Sequence, residues 1–260
     1  MTTLPLIILA NFTSPHAWAE AFTEQLGAGY PVAMYTDHAE YITRLTDDHA
    51  ALIIVDGDQD GWQFWTTTPK ASPATRRIPI FLVSDSAETR AAALIAGADL
   101  ALLPVELLKD AIKLAADYAR VIDPARAEQL ACDCRELLPD LAQQGVEMFN
   151  AGEFYKQHDL FEALWVQTES PVRDLYRAIL QVGVAYYQIQ RGNARGARKM
   201  LLRSVQWLTI LPDECQGIDV QQLREESYRV RAALENMRED EIAQFDKTLL
   251  KPIKNVASRP

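Results

Sequence analysis

His158, Glu162 and Trp165 stand at i, i+4 and i+7 in the stretch Phe154-Tyr-Lys-Gln-His-Asp-Leu-Phe-Glu-Ala-Leu-Trp165. On a helix that spacing sets an imidazole, a carboxylate and an indole on one face. Gln181, Tyr186 and Asn193, on the next helix and its turn, extend this to a polar stripe. Four readings stand open. His158 and Glu162 could hold a metal or ligand, although zinc normally takes at least three protein ligands and His158 is the only histidine after residue 122. Glu162 could tune His158 for general acid–base chemistry, with no nucleophile evident beside them. The stripe could be a protein-contact surface. Or it could be a buried, hydrogen-bonded His–Glu pair that fixes helix register, with Trp165 as core. No catalytic residue, metal site or cofactor is assigned from it.

Two further sets carry chemistry. Asn11, Asp56, Ser84 and Leu103 each follow or end a short apolar run. Arg191, Arg195, Arg198, Lys199 and Arg203 form a basic run with no acid among them. Its spacing lines up Arg191, Arg195 and Arg198, which suits a phosphate, an acidic partner or a solvated helix face. Cys132, Cys134 and Cys215 are the cysteines. On a helix, Cys132 and Cys134 point to nearly opposite sides. The odd count leads us to expect no structural disulfide and a reducing compartment.

The chain has 260 residues and a net charge of −10, with 36 acidic and 26 basic side chains. Residues 1–122 hold 15 acids and 8 bases, so most of the imbalance lies there. This disfavours nucleic acid and anionic lipid as partners. The apolar runs are too short to span a bilayer. The opening Met-Thr-Thr-Leu-Pro lacks the pattern of a secretory signal, so the cytoplasm is the expected compartment.

The elements that position these residues divide in two. Up to 121, short apolar strands (6–10, 31–35, 51–55, 78–83, 100–103) alternate with helical stretches. Ser14-Pro15 and the Asp37…Glu40 spacing mark helix starts, and 105–121 reads as one last helix. Strands without polar alternation, each followed by a helix, predict a five-stranded parallel, flavodoxin-like α/β sheet. Its ligand chemistry would sit at the carboxyl ends of the strands. No glycine-rich phosphate loop follows any strand. Beyond Asp123-Pro124 everything reads as helix, an all-α array with short turns. The expected division is an α/β domain at 1–122, a helical connector at 123–139, a helical domain at 140–238 and a loose tail at 239–260.

On Ile-Ile-Val-Asp56, the segment 72–80, Leu-Val-Ser84 and Ala-Gly-Ala-Asp at 96–99, the first domain resembles a response-regulator receiver. That resemblance implies Asp56 at the phosphoacceptor position and Ser84 at that of the switch hydroxyl. It also implies pairing of two copies through the last helices. The family's acidic pair after the first strand is replaced by Asn11-Phe-Thr-Ser, and its lysine before Pro104 by Leu103. Phosphoryl transfer needs a metal and a cation against the developing charge, so a degenerate, pseudo-receiver reading follows.

On Phe149-Asn-Ala-Gly-Glu-Phe-Tyr, His158 with Glu162 and Trp165, Gln181, and Gly192-Asn-Ala-Arg-Gly-Ala, residues 142–211 resemble the domain of unknown function 309 family. The paired helices also resemble tetratricopeptide-type hairpins, which are binding scaffolds. Together these lead us to expect a regulatory protein that acts by protein–protein contact. Its binding surface would draw on His158, Glu162, Trp165, Gln181, Tyr186, Asn193, Arg195 and Arg198. The alternatives are a phosphorelay regulator in which Asp56 gates the helical domain, and a small enzyme or metal protein using His158 and Glu162.

Overall fold

The computed structural model describes residues 5–12, 17–119 and 124–256. The chain divides into two compact units, Met1–Val121 and Ile122–Pro260. In the first, β1 (Leu6–Ala10), β2 (Val32–Tyr35), β3 (Ala50–Asp56), β4 (Ile80–Val83) and β5 (Leu100–Leu102) form a parallel sheet in the order β2-β1-β3-β4-β5. The order reverses between β1 and β3, the place where such sheets open a crevice.

Alternation along each strand sends successive side chains to opposite faces. Ile7, Leu9, Leu52, Ile54, Phe81 and Val83 pack on one face. They meet α1 (Ala17–Leu26), α5 (Pro104–Lys109) and α6 (Ala111–Tyr118) through Phe22, Leu107 and Ala115. Ile8, Ile53, Val55, Ile80 and Leu82 take the other face. There they meet α2 (Tyr41–Asp47), α3 (Trp62–Ala71) and α4 (Ala87–Ile95) through Leu45, Trp65 and Ala93. Every residue of β3 is buried, which explains its unbroken apolar run up to Asp56.

Two expected details differ. The last helix is broken at Asp110, whose φ of −120° and ψ of 23° leave helical geometry and divide it into α5 and α6. The Asp37…Glu40 capping box does not form. Asp37 instead accepts the Ala39 amide in a local turn, and α2 starts at Tyr41 behind a left-handed Glu40. The helix start at Ser14-Pro15 lies outside the described residues, as does Asp123.

The second unit contains α7 (Pro124–Asp133), α8 (Asp140–Asn150), α9 (Phe154–Gln167), α10 (Arg173–Gln190), α11 (Ala194–Leu208) and α12 (Val220–Glu235). Helices α8 to α11 run antiparallel through short turns. Gly145 admits the Phe161 ring: a Cβ there would lie 2.6 Å from Cε2 of Phe161. At Gly183 a Cβ would lie 2.2 Å from Nε2 of Gln157. These two glycines set how closely α9 lies against α8 and α10. Asn193 caps α11 by accepting the Gly196 amide, and Asp219 caps α12 by accepting that of Gln222.

Three expectations for this unit meet different structure. The stretch 123–139 supplies Leu130 and Cys134 to the helical core, and Arg126 of α7 pairs with the buried Asp174. As far as residue 256 the tail is not loose, because Ile242, Phe245 and Ile253 are all buried in that same core. Finally, Cys134 and Cys215 are joined in a disulfide, which overturns the expectation that none would form. The end of α7 brings Cys134 against a hairpin of β6 (Glu214–Cys215) and β7 (Ile218–Asp219), and Cys132 is left over as an exposed thiol. The hairpin turns at Gln216 and Gly217, both at positive φ. The cysteine count therefore no longer speaks for a reducing compartment. No helix among the described residues is long and apolar enough to cross a membrane.

Candidate functional site

In the first unit Asn11, Asp56, Ser84 and Leu103 lie at the carboxyl ends of β1, β3, β4 and β5. Asn11, in left-handed backbone with a φ of 71°, donates its Nδ2 to the carbonyl of Asp56 at 3.0 Å and that of Gln59 at 3.3 Å. Asparagine is one of the few residues that tolerates this conformation. Gly57 lets the β3 loop press against β4, since a Cβ would lie 2.5 Å from Cδ2 of Leu82. The Asp56 carboxyl is 1% exposed, and its Oδ1 accepts the Asp58 amide at 3.0 Å.

Asp58 follows Asp56 by two residues. In the structure it reaches across the strand ends. One oxygen of its carboxylate accepts the Ser84 hydroxyl, and the other accepts the Asp85 amide at 3.1 Å. The two donors best placed at the end of β4 are thus taken by a carboxylate of the same chain. The cation nearest that strand end, Arg90, donates to the Ser84 carbonyl at 2.6 Å. Leu103 caps α5, and its amide is held by Glu106 at 2.8 Å.

The helical unit redistributes the expected stripe. The His158 side chain is one-third exposed, and its Nδ1 lies 3.1 Å from Oδ1 of the neighbouring Asp159. Glu162 is exposed. The expected buried His–Glu pair therefore does not form, because both residues lie on the outer side of α9 and its inner side is filled by Phe154, Gln157, Phe161 and Leu164. Tyr186 leaves the stripe altogether. It is fully buried between Phe149 and Phe154, with ring centroids 5.5 and 5.4 Å away. Burial pushes its phenol well above the usual tyrosine range.

What comes together instead is a cation between indoles. The guanidinium of Arg177 lies 4.5 Å from the Trp165 ring centroid and 4.0 Å from that of Trp207. Arg173 lies 5.8 Å from Trp165. Gln181 accepts the Trp207 indole N–H at 3.1 Å. Of the expected residues, Trp165 and Gln181 belong to this cluster. Arg173, Arg177 and Trp207 were not singled out; their four-residue spacing on α10 and the aromatic on α11 were the available signal. Further along the same two helices, the rings of Tyr155 and Tyr187 meet at a tilt with centroids 5.4 Å apart, and Tyr155 is largely exposed. Tryptophan, tyrosine and arginine are the residue types that dominate protein interfaces.

In the basic run, Arg198 is engaged within its own unit. It donates to the Met237 carbonyl at 3.1 Å. Arg195 is exposed. Asn193 serves as a cap and also donates to Gln188. Among the described residues no three of histidine, cysteine, aspartate and glutamate gather where they could hold a metal ion.

Residues 142–200 match a family model described as "Domain of unknown function (DUF309)". They include His158, Glu162, Trp165, Arg177 and Gln181. An uncharacterized protein of Aquifex aeolicus (strain VF5) is 21% identical over 86 residues, which is 33% of this chain and 26% of that protein. The chain thus spans about a quarter of the length of that relative. The helical unit is similar, over 142–200, to the domain of unknown function 309 family.

Proposed function

We propose that the chain is a regulatory protein that acts by protein–protein contact. In this reading the first unit is a receiver-like module that does not take phosphate in the usual way, and the helical unit presents the contact surface. The observation that carries it is the bond between Ser84 and Asp58. In a working receiver the Ser84 hydroxyl would answer to a phosphoryl group on Asp56. Here a built-in carboxylate takes that hydroxyl, so the switch has its anion already. An incoming phosphoryl would meet Asp56 and Asp58 together with no lysine at Leu103, and that charge has to be neutralised for transfer to proceed.

The test is to expose the full chain to acetyl phosphate, and separately to beryllofluoride, with Mg²⁺. Intact mass and the amide resonances of Ser84 and Leu103 are the readouts. No adduct and unmoved resonances are expected. A stoichiometric adduct on Asp56 would overturn this reading in favour of a phosphorelay regulator that gates the helical unit. For the contact surface, native mass spectrometry of the protein from its own cells is expected to show a second protein chain. A stoichiometric metal or small molecule would instead move His158 and Glu162 to the centre of an enzyme or sensor.

A further inference from the structure

We propose that the Cys134–Cys215 disulfide is a reversible thiol-exchange site, opened at Cys134 by a small thiol of the glutathione class. An open cleft of about 520 Å³ lies beside it, lined there by Cys134, Arg135, Glu136, Pro212, Glu214 and Gln216. The two halves of the bond differ in their surroundings. Both residues belong to the buried core, but Cys215 is fully buried, whereas Cys134 keeps 9% of its residue surface and lines the cleft. Exchange begins with a thiolate attacking the sulfur it can reach. That sulfur is Sγ of Cys134. The S–S bond breaks, a new bond joins the incoming sulfur to Cys134, and the electron pair leaves on Cys215. The proton that the incoming thiol gave up to water returns to Cys215. A second thiol molecule then attacks the mixed disulfide. It leaves with the first as an oxidised dimer, and Cys134 and Cys215 remain as thiols.

The bond is placed where opening it changes something. Helix α7 is a polar helix, with Leu130 the one buried apolar side chain among its described ones. It is also tied to the rest of the unit by hydrogen bonds and an ion pair. Arg126 pairs with Asp174 at 2.9 Å, and the Gln216 amide donates to the Cys134 carbonyl at 2.7 Å. Gln216 is positioned in turn by the Tyr176 hydroxyl, which donates to its Oε1 at 2.9 Å. By contrast α10 buries eleven of its eighteen residues. Losing the covalent tie should therefore release the end of α7 and the β6–β7 hairpin and leave α9 and α10 in place. Because α7 begins just past the division between the two units, the thiol state would decide how firmly that stretch is held.

The full chain carrying Cys132→Ser removes the exposed free thiol, which would otherwise react as well. Untreated, it is expected to contain no free thiol by intact mass. On brief exposure to reduced glutathione, quenched by alkylation, it is expected to carry one glutathione mapped to Cys134, and on longer exposure two free thiols and no adduct. Hydrogen exchange should then rise in residues 126–136 and 214–219 and stay constant in α9 and α10. A Cys215→Ser variant, with the bond already lost, should show that exchange pattern without added thiol. Two free thiols in the untreated protein, an adduct on Cys215, unchanged exchange after reduction, or exchange rising through α9 and α10 as well would each overturn the proposal.

Discussion

Asn150 grips the backbone of Ile253 from both sides. Its Nδ2 donates to the Ile253 carbonyl at 2.9 Å, and its Oδ1 accepts the Ile253 amide at 2.7 Å. A carboxamide with one donor and one acceptor side by side matches an extended peptide unit, so one side chain fixes a segment 103 residues further along the chain. The Ile253 side chain is thereby held in the helical core. Asn150→Ala leaves both backbone groups without these partners in a half-buried place. It is expected to cost about 1–3 kcal/mol, with faster hydrogen exchange at 251–255. Urea unfolding with tryptophan fluorescence measures the first and exchange mass spectrometry the second. An unchanged midpoint would show that the tail is held by other means.

Close approach at two glycines gives a second test. A Cβ at Gly183 would lie 2.2 Å from Nε2 of the buried Gln157, whose amide also donates to the Phe154 carbonyl at 3.0 Å. A Cβ at Gly145 would lie 2.6 Å from the buried Phe161 ring. Neither neighbour is a flexible surface chain, so Gly145→Ala and Gly183→Ala should each destabilise by about 1–3 kcal/mol. That loss comes despite alanine's better helix propensity, which alone would stabilise by about 1 kcal/mol. A higher melting temperature in either variant would mean that the helices can part freely.

The two halves of the chain differ in how much of them sequence reveals. The sheet was legible because a strand covered on both faces must be apolar throughout, and 51–55 and 78–83 are so nearly that their order along the chain implies the topology. The helices of the second unit were legible from apolar periodicity and from caps such as Asp219. Contacts between distant segments were not. Nothing in the spacing of Cys134 and Cys215, 81 residues apart, distinguishes that pairing from the others open to three cysteines. Nor does the pattern of 247–256 show that Asn150 would hold it. At the candidate site, periodicity placed His158, Glu162 and Trp165 on one helix. It could not say that α10 would offer Arg177 to Trp165 while leaving His158 to Asp159.

Buried phenols set the behaviour at high pH. Tyr41 and Tyr186 are raised above the ordinary tyrosine value chiefly by burial. Tyr35 is raised by burial and then by its hydrogen bond to Asp48, and Tyr176 by burial. A folded-state value above the unfolded one means the unfolded chain releases its proton first. The stability these groups contribute is therefore complete below about pH 10, the unfolded tyrosine value, and is lost as pH rises beyond it. In an absorbance titration, Tyr35, Tyr41, Tyr176 and Tyr186 should ionise above the ordinary tyrosine range, together with loss of helical circular dichroism. Ionisation of these four phenols near pH 10 with the helices intact would contradict this.

The receiver-like reading proposed for the strand ends is tested by adding, one at a time, the groups that reading lacks. Asp58→Ala removes the acceptor of the Ser84 hydroxyl and the Asp85 amide. It is expected to cost about 1–3 kcal/mol and still give no beryllofluoride adduct, because no cation stands at Leu103. Leu103→Lys alone supplies the cation, but Asp58 still holds Ser84, so again no adduct is expected. The triple variant Asn11→Asp, Asp58→Ala, Leu103→Lys restores a carboxylate beside Asp56, frees the hydroxyl and adds the positive charge. It alone should bind beryllofluoride with Mg²⁺, read as fluorine resonances of bound ligand and a shifted Ser84 amide. An adduct already present in Asp58→Ala would mean that the internal carboxylate by itself closes the site and that Leu103 is no obstacle. A triple variant that folds and stays empty would overturn the receiver-like reading of the strand ends.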